Sequence, residues 1–297
     1  MSGCRLCPRR CGAVRSAGSV GFCGADGSLR VARAALHFWE EPPISGTRGS
    51  GTVFFSHCPL KCIYCQNHEI SSGGDGLVIS TDRLTDIFFE LRAAGAHNIN
   101  LVSPTQYTDE IIAAVSAAKA RGFDLPFVWN TGGYELADTL RRLDGLVDIY
   151  LTDFKYMSAR LAGAFSAAPD YPAAARAALC EMLRQIPRGQ YDADGLMRRG
   201  VIVRHLVLPG CTADTKDILD YLADLRGVRL SLMGQFTPQP TCTHPALSRE
   251  VSAEEYDDVV GYAELLGFTD AFIQERGSAS ESFIPKFDYT GVLPKGI

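Results

Sequence analysis

From residue 51 onward the chain alternates between short apolar runs and longer stretches whose apolar residues recur every three or four positions. The runs Gly51-Thr-Val-Phe-Phe-Ser56, Ile99-Asn-Leu-Val102, Pro126-Phe-Val-Trp-Asn130, 147–153, 201–208 and 228–233 read as strands. Helical spacing fills 81–94, through Leu84, Ile87, Phe88 and Leu91, and 108–121, through Ile111, Ile112 and Val115. It fills 134–143, the long Ala-rich region 158–188, 215–225 and 252–266 as well. Six strands each followed by a helix predict an α/β fold with parallel pairing and right-handed crossovers. The count suits a partial, open (β/α)6 barrel over residues 51–275.

The ends do not follow this rhythm. Residues 1–50 are predicted to be a cysteine-rich metal knot and its connector, with a strand-like run from Val31 that ends in a Pro- and Gly-punctuated passage. Residues 276–297, polar and then aromatic, are expected to form a strap that closes a gap in the barrel or meets a partner, or else simply to cap the core.

Composition narrows the function more than the fold. The 297 residues are 46% apolar and 21% charged, with a net charge of −5, so no general basic field invites nucleic acid. Met-Ser-Gly-Cys-Arg has no signal-peptide apolar core, and no run of about 18 apolar residues occurs, so neither secretion nor membrane spanning is expected and the cytoplasm is the predicted compartment. Seven of the ten cysteines stand in two tight groups, the pattern of metal ligands in a reducing compartment.

The first group, Cys4, Cys7, Cys11 and Cys23, has glycines at 12, 18, 21 and 24 that permit tight turns around one metal centre. Zinc and an auxiliary [4Fe-4S] cluster both accept four thiolates, and the residues do not choose between them. The second group, Cys58-Pro-Leu-Lys-Cys62-Ile-Tyr-Cys65, follows the first strand. Three thiolates on one loop suit a cubane cluster whose fourth iron lacks a protein ligand, whereas zinc prefers four ligands. Ligands of a parallel barrel gather at the strand C-termini. There stand Ser103-Pro-Thr105, Asn130, Asp153-Phe-Lys155, Arg204-His205 and Gln235-Phe-Thr-Pro238. Glu40 and Glu41 with His37 lack the spacing of a helical H-E-x-x-H site and read as plain polar residues. Cys180 is expected in the core of its helix, and Cys211 and Cys242 as loop thiols.

The phrases Cys4-x2-Cys7-x3-Cys11, Glu40-Glu-Pro-Pro-Ile-Ser-Gly46, Phe54-Phe-Ser-x-Cys58, Tyr64-Cys-Gln-Asn67 and His205-Leu-Val-Leu-Pro-Gly210 resemble the PflX-like branch of radical S-adenosylmethionine (SAM) proteins related to pyruvate formate-lyase activating enzymes. That resemblance implies an enzyme, anaerobic in use, with Cys58, Cys62 and Cys65 on a [4Fe-4S] cluster and SAM on the open iron. One electron, from a donor such as flavodoxin or ferredoxin, would then release a 5'-deoxyadenosyl radical. The resemblance further implies SAM contacts by Tyr64, Asn130, Asp153, Lys155 and His205, and by Ser103, Pro104 and Thr105 where relatives carry Gly-Gly-Glu. No carboxylate stands in that last segment, so backbone carbonyls or Thr105 are left to accept from the methionine amino group. The implied substrate is a glycine of a glycyl radical enzyme. Another peptide, a small metabolite, or a non-catalytic iron-sulfur or zinc redox role are the alternatives.

Overall fold

The six expected strands stand side by side in chain order. In the computed structural model, which describes residues 3–274 and 284–294, β2 (Ser50–Phe55), β4 (Ile99–Val102), β5 (Phe127–Thr131), β6 (Ile149–Asp153), β8 (Met197–Leu206) and β9 (Val228–Met233) pair in parallel, each with the next. The crossovers carry α2 (His68–Ser71), α3 (Thr81–Ala93), α4 (Thr108–Ala120), α5 (Ala137–Arg141), α6 (Ala159–Ser166), α7 (Tyr171–Gln185) and α8 (Thr212–Ala223), and α9 (Ala253–Leu265) follows β9. Leu84, Ile87 and Phe88 of α3 and Ile111 and Val115 of α4 are buried, as the helical spacing requires.

Four short or early strands extend the sheet beyond the expected set. β1 (Arg30–His37) runs antiparallel to β2, β3 (Leu77–Val78) antiparallel to β1, β7 (Gln190–Tyr191) antiparallel to β8, and β10 (Phe272–Ile273) parallel to β9. The connector of the sequence reading is therefore partly a sheet strand. The ends of the sheet, β10 and β3, do not pair with each other, so among the described residues it does not close.

The long helix expected over 158–188 is broken in two. Ala167 adopts a left-handed conformation with φ 48°, and Pro169 disfavours helix at the residue before it. Ser158 caps α6, and Pro172 starts the first turn of α7. Cys180 is exposed, which corrects the core placement: Ala175, Ala178, Leu179 and Met182 form the buried stripe of α7, and Cys180 falls beside it. No helix among the described residues is long and apolar enough to cross a membrane.

Strand alternation divides the core. Phe55, Leu101, Phe127, Trp129, Tyr150 and Val203 face the helices. Val128, Ile149, Leu151 and Ile202 face inward, where they meet Ile44 of the short helix α1 (Pro42–Ser45) and Met197. The segment between β1 and β2 thus plugs the N-terminal end of the sheet's interior with apolar side chains. Residues 284–294 lie along β1, with Ala34 N–H donating to Thr290 O at 2.8 Å and Tyr289 N–H to Ala32 O at 3.1 Å. Phe287 packs there against Phe54. Of the expected strap, residues 276–283 and 295–297 lie outside the described residues.

Candidate active site

The loop after β2 carries Cys58, Cys62 and Cys65 to the C-terminal end of the sheet. Its backbone turns through His57 and Lys61, both at positive φ, and is fixed from above by Gln106. The Gln106 carboxamide donates to the carbonyls of Ser56 (2.9 Å), His57 (3.0 Å) and Ser103 (2.7 Å), tying the cysteine loop to the turn after β4. Two hydroxyls address the thiols: Ser166 Oγ donates to Cys62 Sγ at 3.0 Å and Ser71 Oγ to Cys65 Sγ at 3.3 Å. Burial, with the neighbouring Cys62, pushes the Cys58 thiol up to about 12, and burial raises Cys65 as well. A bound metal reverses that preference, because it takes the thiolate outright.

Among the described residues no three His, Cys, Asp or Glu side chains converge closely enough to share a single metal ion. A cubane imposes no such convergence, since each thiolate binds a different iron. Three sulfurs on one loop, two of them accepting hydroxyl hydrogen bonds and none of them backed by a fourth protein ligand, fit a [4Fe-4S] cluster with one open iron.

Beside the cysteine loop stands a polar network. Lys155 Nζ pairs with Asp153 Oδ2 at 2.6 Å, and Arg204 Nε with Asp153 Oδ1 at 2.9 Å. Arg204 reaches Glu40 Oε2 at 3.1 Å and donates to Asn130 Oδ1 at 2.6 Å. Asn100 Nδ2 and Asn130 Nδ2 donate to Glu40 Oε1 at 2.8 and 3.3 Å. Burial works upward on the Asp153 carboxyl, but Lys155 and Arg204 bring it below the ordinary carboxylate range. Asp153 in turn raises Lys155 against its burial, with Cys62 and Cys65 adding to the effect. The Asp153 turn is tight: a Cβ on Gly133, at φ 78°, would stand 2.2 Å from Asp153 O.

Of the residues expected around SAM, Asn130, Asp153 and Lys155 meet in this network. Ser103, at φ 55°, donates its N–H to Asn130 O at 2.9 Å and so borders it. Pro104 opens a short turn, and the hydroxyl of Thr105 points away, donating to the buried Glu135 Oε1 at 2.6 Å. Tyr64 is buried behind the loop, its hydroxyl 2.7 Å from that of Tyr156 and its ring against Phe165 and Phe236.

His205 has both ring nitrogens engaged inside the protein, by Phe154 O at 2.7 Å and Thr215 Oγ1 at 2.9 Å. It braces the Asp153-Phe-Lys155 turn against α8. Burial drives its imidazole down to about 4. An unfolded histidine titrates near 6.5, so between these values the unfolded chain binds a proton that the folded chain refuses. Its contribution is present above pH 6.5 and lost as pH falls toward 4. Denaturant titrations at pH 7 and pH 5 are expected to differ by about 2 kcal/mol through this group, and His205→Gln to remove that part of the difference.

Glu40, Asn100 and Arg204 are the site residues that sequence reasoning passed over or left without a role. The available signal was strand parity: Asn100 and Arg204 fall on the inward positions that Val128 and Ile202 mark with apolar side chains.

The four N-terminal cysteines stand in one neighbourhood, with no three of them close enough to share a single ion. Cys4 and Cys11 are hydrogen-bonded, and Arg15 donates to Cys23 Sγ at 3.5 Å. A Cβ on Gly21 would stand 2.9 Å from Cys11 Sγ and 3.6 Å from Cys23 Sγ, so that glycine opens the space between them. Cys7 is buried and pushed up to about 12, first by burial and then by charges that include Glu135, Cys23 and Cys4. Arg9 fastens this knot to the barrel, donating to the carbonyls of Pro59 (2.9 Å), Ser166 (2.8 Å) and Ala167.

Residues 52–186 match the family model of the Radical SAM superfamily. The uncharacterized protein MJ0674 of Methanocaldococcus jannaschii is 27% identical over 272 residues, covering 88% of this chain and 74% of that protein. A domain of the pyruvate-formate lyase-activating enzyme of Bacteroides vulgatus aligns over 61% of this chain and 100% of its own, at 16% identity and a TM-score of 0.43. The segment similar to the radical SAM superfamily holds Cys58, Cys62, Cys65, Asp153 and Lys155. A radical SAM domain implies a [4Fe-4S] cluster, SAM and an electron donor, and members of the superfamily are enzymes.

Proposed function

We propose that this protein is a radical SAM enzyme that removes a hydrogen atom from a substrate admitted to the open sheet interior. The observation that carries the reading is that Lys155, paired with Asp153 at 2.6 Å, stands close enough to Cys62 and Cys65 of the three-cysteine loop for their charges to act on it, all within the matched segment. Held by these residues, the cluster and SAM supply a 5'-deoxyadenosyl radical on one-electron reduction.

The chain's own part is positioning and exclusion of water. Lys155 is the donor for the SAM carboxylate, and Asp153 the acceptor for its amino or hydroxyl groups. Thr105 is committed to Glu135, so the second lone pairs of the Ser103 and Pro104 carbonyls, which already accept from Gln106 and Tyr107, are left as acceptors where relatives use a carboxylate. His205 acts through the Asp153 turn, and Tyr64 through the packing behind the cysteine loop. A small flavodoxin or ferredoxin is the expected electron donor.

The motif resemblance favours a glycine in a glycyl radical enzyme as the target. The unpartnered polar acceptors inside the sheet favour a small polar molecule as the second reading. Anaerobic reconstitution with iron and sulfide, then dithionite and SAM, is expected to yield 5'-deoxyadenosine and methionine. A glycine-centred doublet in the electron paramagnetic resonance spectrum of a co-incubated glycyl radical enzyme supports the first target. SAM cleavage with no doublet and no mass change in any candidate enzyme hands the reading to the second.

Cys4, Cys7, Cys11 and Cys23 form, in the same proposal, one structural metal centre, because four thiolates leave no open position. A single ion requires these sulfurs to draw closer together than they stand. Metal analysis of anaerobically purified protein is expected to give about four irons and one zinc per chain for a zinc knot, or about eight irons for a second cluster. One cluster and no other metal in intact protein removes the idea.

A further inference from the structure

Beneath the Asp153 and Lys155 pair, the inner face of the sheet carries a layer of polar side chains on top of the apolar plug. Its members are Glu40 and Glu41 from the segment after β1, Asn100 from β4, Asn130 from β5, Arg204 from β8 and Ser231 from β9. The rim of the layer meets solvent, where the side chains of Arg204, Asp153 and Lys155 keep 16%, 16% and 20% of their surface exposed and that of Glu40 keeps 8%, while Glu41 and Asn100 lie buried beneath it.

Every cation here is already committed. Arg204 uses its guanidinium on Asp153, Glu40 and Asn130, and Lys155 is paired with Asp153. Three carboxyl groups, Glu40, Glu41 and Asp153, face these two positive charges, so the layer is one positive charge short of neutrality when all are ionised. Two acceptors in it have no partner among the described residues, Glu41 Oε2 and Asn100 Oδ1. Both residues are more than nine-tenths buried, at 8% and 0% exposure. Buried polar atoms without partners are rare in folded proteins and call for an explanation. Burial raises the Glu41 carboxyl, which an incoming cation would counteract.

We propose that Glu41 and Asn100 form the substrate subsite of this enzyme, one that takes the primary ammonium group of a small molecule. An ammonium supplies three N–H donors and the missing positive charge, and it fits acceptors that a carboxylate or phosphate would repel. Arg204 and Glu40 then act as positioning residues, holding Asn100 so that its Oδ1 is free. This deepens the second reading of the target and rests on the radical SAM assignment only for the chemistry that follows binding.

The test is ligand-observed NMR on the anaerobically reconstituted full chain, with and without SAM, using n-butylamine, butanamide and butanoate as probes at neutral pH. Butylammonium is expected to bind and butanoate not to bind. Glu41→Gln should weaken amine binding at least tenfold while SAM affinity changes less than twofold. Asn100→Leu, checked for folding by its melting curve, provides a second variant with the same expected loss. Equal binding of all three probes, or no binding of the amine, overturns the proposal. So does a fall in SAM affinity with amine binding unchanged, which gives the layer to SAM instead. Failure of the radical SAM reading looks different: the wild-type chain would bind the amine yet neither bind nor cleave SAM.

Discussion

Cys62→Ala is expected to lose about four irons per chain and to bring SAM cleavage down to background while the protein stays folded. The loss follows from the site's arithmetic: with three thiolates on one loop, removing one leaves two ligands for a cluster that needs three. The fold survives because the Cys62 sulfur makes one hydrogen bond, from Ser166, whose hydroxyl keeps Tyr156 as a partner. Such a bond contributes about 1 kcal/mol. Iron and sulfide analysis, the visible spectrum after reconstitution and far-ultraviolet circular dichroism read the three parts of this outcome. Cys180→Ala, at an exposed thiol on α7, is the matched control and should change none of them. A Cys62→Ala protein that kept its cluster and cleaved SAM would sink the assignment.

Arg204→Leu is expected to destabilise the chain by about 3–5 kcal/mol, the cost of removing one partner from a buried ion pair. The guanidinium joins three inner strands and the plug through Asp153, Asn130 and Glu40. Lys155 still offsets Asp153 in the variant, so the stranded charge is that of Glu40. Arg204→Leu combined with Glu40→Gln should therefore recover a substantial part of the loss, a coupling that a double-mutant cycle measures. Urea titrations with a common m-value give the free energies. A single-variant loss below about 1 kcal/mol would mean that water already screens the network.

The strands were legible because runs such as Phe127-Val-Trp129 of β5 and Val201-Ile-Val203 of β8 are apolar on both faces, as a sheet covered on both faces requires. The helix break at Ala167 was not, because Ala-rich sequence reads as continuous helix and outweighed the contrary signs of Pro169 and Pro172. The antiparallel place of β1 was hidden for another reason: a strand's pattern tells its own geometry and not its neighbour. Glu40 and Glu41 were set aside because they match no metal motif. Their meaning comes from residues sixty to one hundred and ninety positions away, among them Asn100, Asn130, Arg204 and Ser231. The three cysteines could be read at once, since their chemistry is local in the chain.

The order of the sheet also bears on how this protein can be cut. The stretch that matches the radical SAM family model stops at residue 186, after α7 and before β8. A fragment of residues 52–186 would end with β6 as a bare edge, lacking the strand that pairs with it from Ile149 to Asp153. It would leave Asp153 without Arg204 and the sheet interior without Ile44. The packed sheet therefore extends on both sides of the matched range. An expression fragment trimmed to those limits should aggregate through its open edge.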